Sequence, residues 1–137
     1  MNKFKVGDLY IEKWIPTFDA IKKYAELSGD HNPIHIDIAA AKKSGKENII
    51  VHGNLTCSVI SKVIGMNFPG NGSVILEQNI SFPNPIFPND VIKFEFLIES
   101  VNYNLSIIEI KLKAFKYLGG NIINKSIVIR GKIICQI

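Results

Sequence analysis

Two hydrophobic periods divide the chain. In roughly the first half, apolar residues recur every three or four positions; from Ser73 onward they recur every second position. The first spacing places side chains on one face of a helix, the second on one face of a strand. Phe4 to Trp14 has a strand-like flavour, with Val6, Leu9 and Ile11 set among polar residues. Thr17, after Pro16, predicts a helix N-cap, and Phe18, Ile21, Tyr24, Ala25 and Leu27 predict that helix's buried face. Gly29 is placed to end it, because glycine accepts the left-handed geometry of a helix C-terminus. The helix then delivers Asp30 into a loop that Pro33 keeps extended, since proline disfavours helical geometry at Asn32.

A second short helix is predicted from Asp37 as N-cap through IAAAKK to Gly45. A third runs from His52-Gly53 to about Met66. Leu55, Val59, Val63 and Met66 form one face, and Thr56, Cys57, Ile60 and Ile64 leave little of the rest polar. A helix so apolar around its circumference is expected inside the protein. Phe68 to Gly72 is a turn signal. Beyond it, Ile92, Phe94, Phe96 and Ile98 alternate with charged positions, as do Ile108, Ile110, Leu112 and Ala114. Ile127, Ile129, Ile133, Cys135 and Ile137 share one face; Arg130, Lys132 and Gln136 share the other. These are half-buried antiparallel strands. Tyr103-Asn104 and Gly119-Gly120-Asn121 are predicted hairpin turns. A long apolar helix followed by a curved meander predicts an α+β layout, with the sheet wrapped around that helix.

Composition bounds the function. A length of 137 residues fits one domain, 1–137, and 47% apolar content allows a core without disulfide or metal staples. The net charge of +4 comes from scattered lysines, not from a basic run interleaved with aromatics, so a nucleic-acid binder is not expected. The excess leaves room for anionic small molecules or an acidic carrier protein as partners. Cys57 and Cys135 sit far apart in apolar runs and read as buried free thiols, with no spacing for zinc or redox chemistry. The N-terminus has no signal-peptide pattern, and the apolar tract from Val59 to Met66 is too short for a bilayer. A cytoplasmic protein without a membrane partner is expected.

The stretch SGDHNPIHID, Ser28 to Asp37, concentrates the candidate chemistry. Asp30 and His35 could grip one water, the carboxylate taking a proton and the imidazole exchanging protons near neutral pH. Residue types alone favour the plainer reading, an Asx-type turn and a polar loop residue. His31 fits solvent, and Asp37 is already used as a cap. His52-Gly53 opens the apolar helix, where unpaired N–H groups and the positive dipole end suit a carbonyl oxygen gaining negative charge. A plain glycine at a tight helix entry reads equally well there, and His52 could be a core histidine. Ser61, two turns on, could hydrogen-bond a substrate carbonyl or simply its own helix. No Gly-x-Ser-x-Gly elbow supports a serine nucleophile, and nothing points to a metal site.

Taken together, YAELSGDHNPIHID, IIVHGNLTCSVIS and SVILEQNISFPNPIFPNDVI resemble the MaoC-like, (R)-specific enoyl-CoA hydratases. Tyr24, Ala25, Ser28, Gly29, Asp30, Asn32, Pro33, His35 and Asp37 all match that family's motif. The resemblance implies a hot-dog fold, a bent antiparallel sheet around a long central helix. It implies hydration of trans-2-enoyl thioesters, with Asp30 and His35 on the catalytic pair and Gly53 on the residue whose N–H holds the thioester carbonyl. Ser61 falls on a serine near the related sites, and Asn32 and His52 are carried with them as substrate-binding positions. It further implies a homodimer with acyl-CoA at the subunit interface, a role in fatty acid metabolism and no cofactor, since the thioester itself acidifies the α position. Two positions depart from the pattern: Asn89-Asp90 replaces Gly-Asp, for which only an altered turn is expected, and Asn54 stands where relatives often carry an apolar residue. A hot-dog thioesterase, a carrier-protein dehydratase and a non-catalytic acyl-binding module are the rival readings.

Overall fold

In a computed structural model, which describes residues 3–120 and 123–137, five antiparallel strands wrap around one long helix. The order along the chain is β1 (Leu9–Trp14), α1 (Phe18–Ser28), α2 (Pro33–Ile36), α3 (Ile38–Lys43), α4 (Gly53–Met66), β2 (Val74–Ser81), β3 (Ile92–Asn102), β4 (Ile107–Tyr117) and β5 (Lys125–Gln136). This is the expected α+β hot-dog layout. The meander holds for β3, β4 and β5, but β2 crosses to the far edge, giving the order β1-β3-β4-β5-β2. Both ends of the sheet are therefore edges, β1 on one side and β2 on the other.

The period-two residues are the core. Phe94 pairs with Ala114, Phe96 with Leu112 and Ile98 with Ile110, so each phenylalanine of β3 faces a smaller side chain on β4. All six are essentially buried, together with Ile129, Ile133 and Cys135 of β5. Burying the Cys135 thiol raises its pKa to about 11, so it stays a neutral apolar residue at physiological pH. Onto this layer α4 turns Leu55, Thr56, Val59, Ile60, Val63 and Ile64. The helix is not buried on all sides as its composition suggested. Asn54, Ser58, Ser61 and Lys62 are exposed, and Met66, expected in the core, is 74% exposed. A helix lying on one concave sheet has only one layer to bury against.

Other expectations change in detail. In β1 the inward residues are Tyr10, Glu12 and Trp14, while Leu9 and Ile11 are exposed. Glu12 is tolerated because Lys62 of α4 pairs with it. In α1 only Ile21 and Ala25 are buried; Leu27 is 87% exposed. The caps are as read from sequence. Thr17 accepts the Ala20 N–H at 3.1 Å, and Gly29 closes α1 at φ +78°. Asn89 takes φ +67°, the left-handed turn expected where relatives use glycine. The Tyr103-Asn104 turn joins β3 to β4. Of the second predicted turn, Gly119 lies in the β4–β5 connection at φ +59°, and Asn121 lies outside the described residues.

Candidate active site

The loop after α1 is built by short-range side-chain bonds two residues apart. The Ser28 hydroxyl accepts the Asp30 N–H at 3.1 Å, the Asp30 carboxylate accepts the Asn32 N–H at 3.2 Å, and the Asn32 amide oxygen accepts the Ile34 N–H at 3.3 Å. Ser, Asp and Asn are the residues able to make these turns, which accounts for their alternation in SGDHN. The loop does not stay extended through Pro33. Asn32 caps a single helical turn, α2, and Pro33 takes its first position. The ring's fixed φ and missing N–H suit that position, while Asn32 keeps the non-helical geometry a following proline requires. That turn, not an extended segment, carries His35 inward. Asp37 then caps α3, accepting from Ala39 and Ala40.

His35 is buried and tied down. Its Nδ1 lies 2.7 Å from the Ile50 carbonyl, and the Ile50 N–H donates to the Ile34 carbonyl. A carbonyl only accepts, so Nδ1 carries the proton, and in the neutral ring Nε2 presents a lone pair. That Nε2 stands 3.9 Å from Oδ2 of Asp30, whose side chain is half exposed. Across the same space lies the start of α4. His52 is its N-cap residue but makes no side-chain cap, so the first N–H groups, Gly53 foremost, remain for other acceptors. A cavity of about 440 Å³ lies between His35 and Gly53, lined also by Thr56, Lys46, Phe82 and the segment that follows Phe82; Asp30 stands outside this lining, beside His35. A second cavity of about 430 Å³, walled by Phe18, Ile21, Ala25, Ile36 and Ile49, opens on the other side of His35.

The structure sorts the sequence candidates. Asp30 faces His35, and His35 shares the first cavity with Gly53. Asn32 is exposed and caps α2. Ser61 sits on the open face of α4, outside the cavity lining, and so does Asn54. His31 is exposed at the second cavity. Sequence reasoning missed Lys46 and gave Phe82 no role of its own. The Phe82 ring lies 3.2 Å from where a Cβ on Gly53 would stand, so glycine here permits close approach of the 82–86 segment as well as of a ligand. The glycine before Lys46, Gly45 at φ +81°, is the one visible hint that the chain turns there.

His52 is buried and lies flat on His35, ring centres 3.9 Å apart and planes within 26°. Asp30, His35 and His52 bring three metal-ligand atoms within 4.8 Å of one another. Stacked rings are poorly arranged to share an ion, which binds near the plane of each imidazole, and each ring already spends one nitrogen on a carbonyl. The His52 Nε2 faces the Asp30 carbonyl at 3.0 Å, while its Nδ1 is buried without a hydrogen-bond partner among the described residues. Burial, more than any neighbour, holds its pKa below the usual 6.5, with the Asp30 carbonyl opposing. The consequence for stability follows from linkage. Above the ordinary value His52 is neutral whether folded or unfolded; as the pH falls below it, only the unfolded chain takes up the proton, so stability drops. Tm is expected to fall between pH 7.5 and 5.5, and less so in His52→Gln, as measured by thermal unfolding across that range.

The sequence profile of the MaoC like domain matches residues 7–113. The chain belongs to the MaoC-like family. It is 41% identical over 88 residues to the mitochondrial 3-hydroxyacyl-[acyl-carrier-protein] dehydratase of Arabidopsis thaliana, covering 64% of this chain and 52% of that protein. It thus spans about half the length of that relative. To the (R)-specific enoyl-CoA hydratase of Aeromonas caviae it is 32% identical over 110 residues, 80% of this chain and 82% of that one. The solved (R)-hydratase of A. caviae superposes with a TM-score of 0.89 at 28% identity, covering 100% of this chain and 99% of that chain. Hydratase and dehydratase name the two directions of one hydro-lyase reaction. Among the described residues, no helix of this MaoC-like chain is long and apolar enough to cross a membrane.

Proposed function

We propose that this MaoC-like chain adds water across the double bond of trans-2-enoyl-CoA to give (R)-3-hydroxyacyl-CoA, and runs the reverse dehydration. The observation that carries this is the 3.9 Å gap between Asp30 Oδ2 and His35 Nε2. It is too long for a direct hydrogen bond, yet both atoms can reach a single water at about 2.8 Å. Both are acceptors, so the water donates one hydrogen to each and turns its oxygen lone pairs outward to C3. The thioester carbonyl lies against the Gly53 N–H, where the uncapped end of α4 stabilises the enolate-like oxygen formed as the C3–O bond closes. Asp30 takes the water's proton, and the same pair returns a proton to C2, so water is added whole and no cofactor is consumed.

The similarity to the Arabidopsis dehydratase favours a second substrate form, the same acyl group on a carrier protein. A homodimer fits the surface. The β2 edge carries exposed Val74 and Leu76, an open ladder for a second copy, and Ser61 reaches substrate only if such a copy closes over α4. Crotonyl-CoA decides the reaction. Loss of enoyl absorbance without release of free thiol is the expected result; thiol release would instead make the chain a thioesterase and overturn the proposal. Competition between CoA-linked and carrier-linked crotonyl thioesters then ranks the two substrate forms.

A further inference from the structure

His52 sits outside the lining of the Gly53 cavity, yet it touches both members of the proposed pair. Its ring lies between two others. Tyr24 of α1 meets it edge-on at 4.8 Å, and His35 of α2 lies flat against it. Its Nε2 faces the Asp30 carbonyl, an atom that only accepts, so Nε2 carries the ring's proton and Nδ1 is a bare lone pair. Around that carbonyl the backbone is held by turn bonds alone, the Asp30 N–H donating to the hydroxyl of Ser28 and the His31 N–H to the Gly29 carbonyl. We propose that His52 is a positioning residue, whose Nε2–H fixes the Asp30 peptide, so that the Asp30 carboxylate stays at one-water separation from the His35 imidazole.

This rests on the reading of Asp30 and His35 as the working pair and adds what keeps them apart by the right amount. The separation matters because a misplacement of about 1 Å at reacting groups can cost 10²-fold in rate. The chemistry of His52 suits a fixed strut better than a proton carrier. The groups facing it are Tyr24 from α1, Asp30 and His31 from the loop and His35 from α2; on α4 itself its carbonyl is taken by the Thr56 hydroxyl. A second proton would sit on Nδ1, buried with no acceptor among the described residues, beside the His35 ring. An unsatisfied buried donor is costly, so the ring stays neutral and its tautomer single. Burial lowering its pKa points the same way.

Two substitutions separate the bond from the ring. His52→Phe keeps a flat ring against His35 and removes the donor; His52→Gln removes the ring and restores an N–H at the reach of Nε2. With crotonyl-CoA, His52→Phe is expected to lose at least about tenfold in kcat with KM nearly unchanged, and His52→Gln to stay within about threefold of the parent. The carbonyl carbon resonance of Asp30 should move in His52→Phe and return toward the parent position in His52→Gln. Three results overturn the proposal: full kcat in His52→Phe, equal damage in both variants, or a raised KM with kcat unchanged, which would put His52 on the substrate. Should His52→Phe fail to fold, a tenfold loss in His52→Gln alone overturns it. If the parent does not hydrate crotonyl-CoA, the reaction reading fails, and the Asp30 resonance in the two variants still decides the role of His52.

Discussion

Replacing Asp30 by Asn is expected to lower kcat for crotonyl-CoA hydration by about 10²–10⁴-fold, the range over which a positioned acid or base contributes. The variant should remain folded. Asp30 Oδ1 accepts the Asn32 N–H, and an asparagine oxygen can accept the same bond, so the turn that leads into α2 survives. The side chain is half exposed and its neighbour His35 is the neutral ring whose Nδ1 is held by the Ile50 carbonyl, so losing the charge strands no buried cation. Stability is expected to change by no more than about 0.5 kcal/mol. Measuring kcat, KM and Tm together makes the test specific. The base assignment predicts a fall in kcat at nearly constant KM and Tm. Near-full activity would sink it, and a large fall in Tm would mean that the carboxylate holds the loop instead of the water.

The site was legible in sequence where its geometry is made locally. Ser28, Asp30 and Asn32 bond two residues ahead, Thr17 and Asp37 cap helices three or fewer residues ahead, and Gly29 and Asn89 take left-handed turns. Each of these is decided by residues that a reader of the chain sees side by side. The period-two strands were legible for the same reason, since every strand face repeats within itself. What was not legible depends on partners far along the chain. The inward Glu12 requires Lys62, fifty positions away. The ring contacts of Tyr24, His52 and His35 join three elements, and nothing near His52 in sequence marks it as a neighbour of Asp30. The open face of α4 was misread because apolar content says how much a helix can bury, while the number of layers around it decides how much it does. Pro33 misled for a different reason. It disfavours helix at the residue before it but suits the first turn after it, and only the second effect reached His35.

Gly131 is the position where a single methyl group should cost most. It lies mid-strand in β5, between Ile80 of β2 and Leu112 of β4. A Cβ there would stand 2.0 Å from the Asn79 carbonyl oxygen and 3.0 Å from its carbon. Those are backbone atoms, so no side chain can swing aside; β2 itself must move. Glycine inside a strand often marks such a close backbone approach, a reading open from sequence only once the partner strand is known. Gly131→Ala is expected to destabilise the fold by roughly 3 kcal/mol, at the top of the usual range for overpacking, and to lower Tm by about 10 °C. The effect should spread to the site along the chain. Ser81, paired with Arg130, leads directly into Phe82, whose ring packs over Gly53. Displacing β2 would therefore move the wall of the cavity at the carbonyl-binding end and leave Asp30 and His35 where they are. The folded fraction of Gly131→Ala should then show a raised KM for crotonyl-CoA beside a modest change in kcat, opposite to the signature of Asp30→Asn. Hydrogen exchange should rise first in β2, the edge strand. A variant with parental Tm would mean that β2 slides over a methyl group without loss, and that the seating of Phe82 over Gly53 does not depend on this contact.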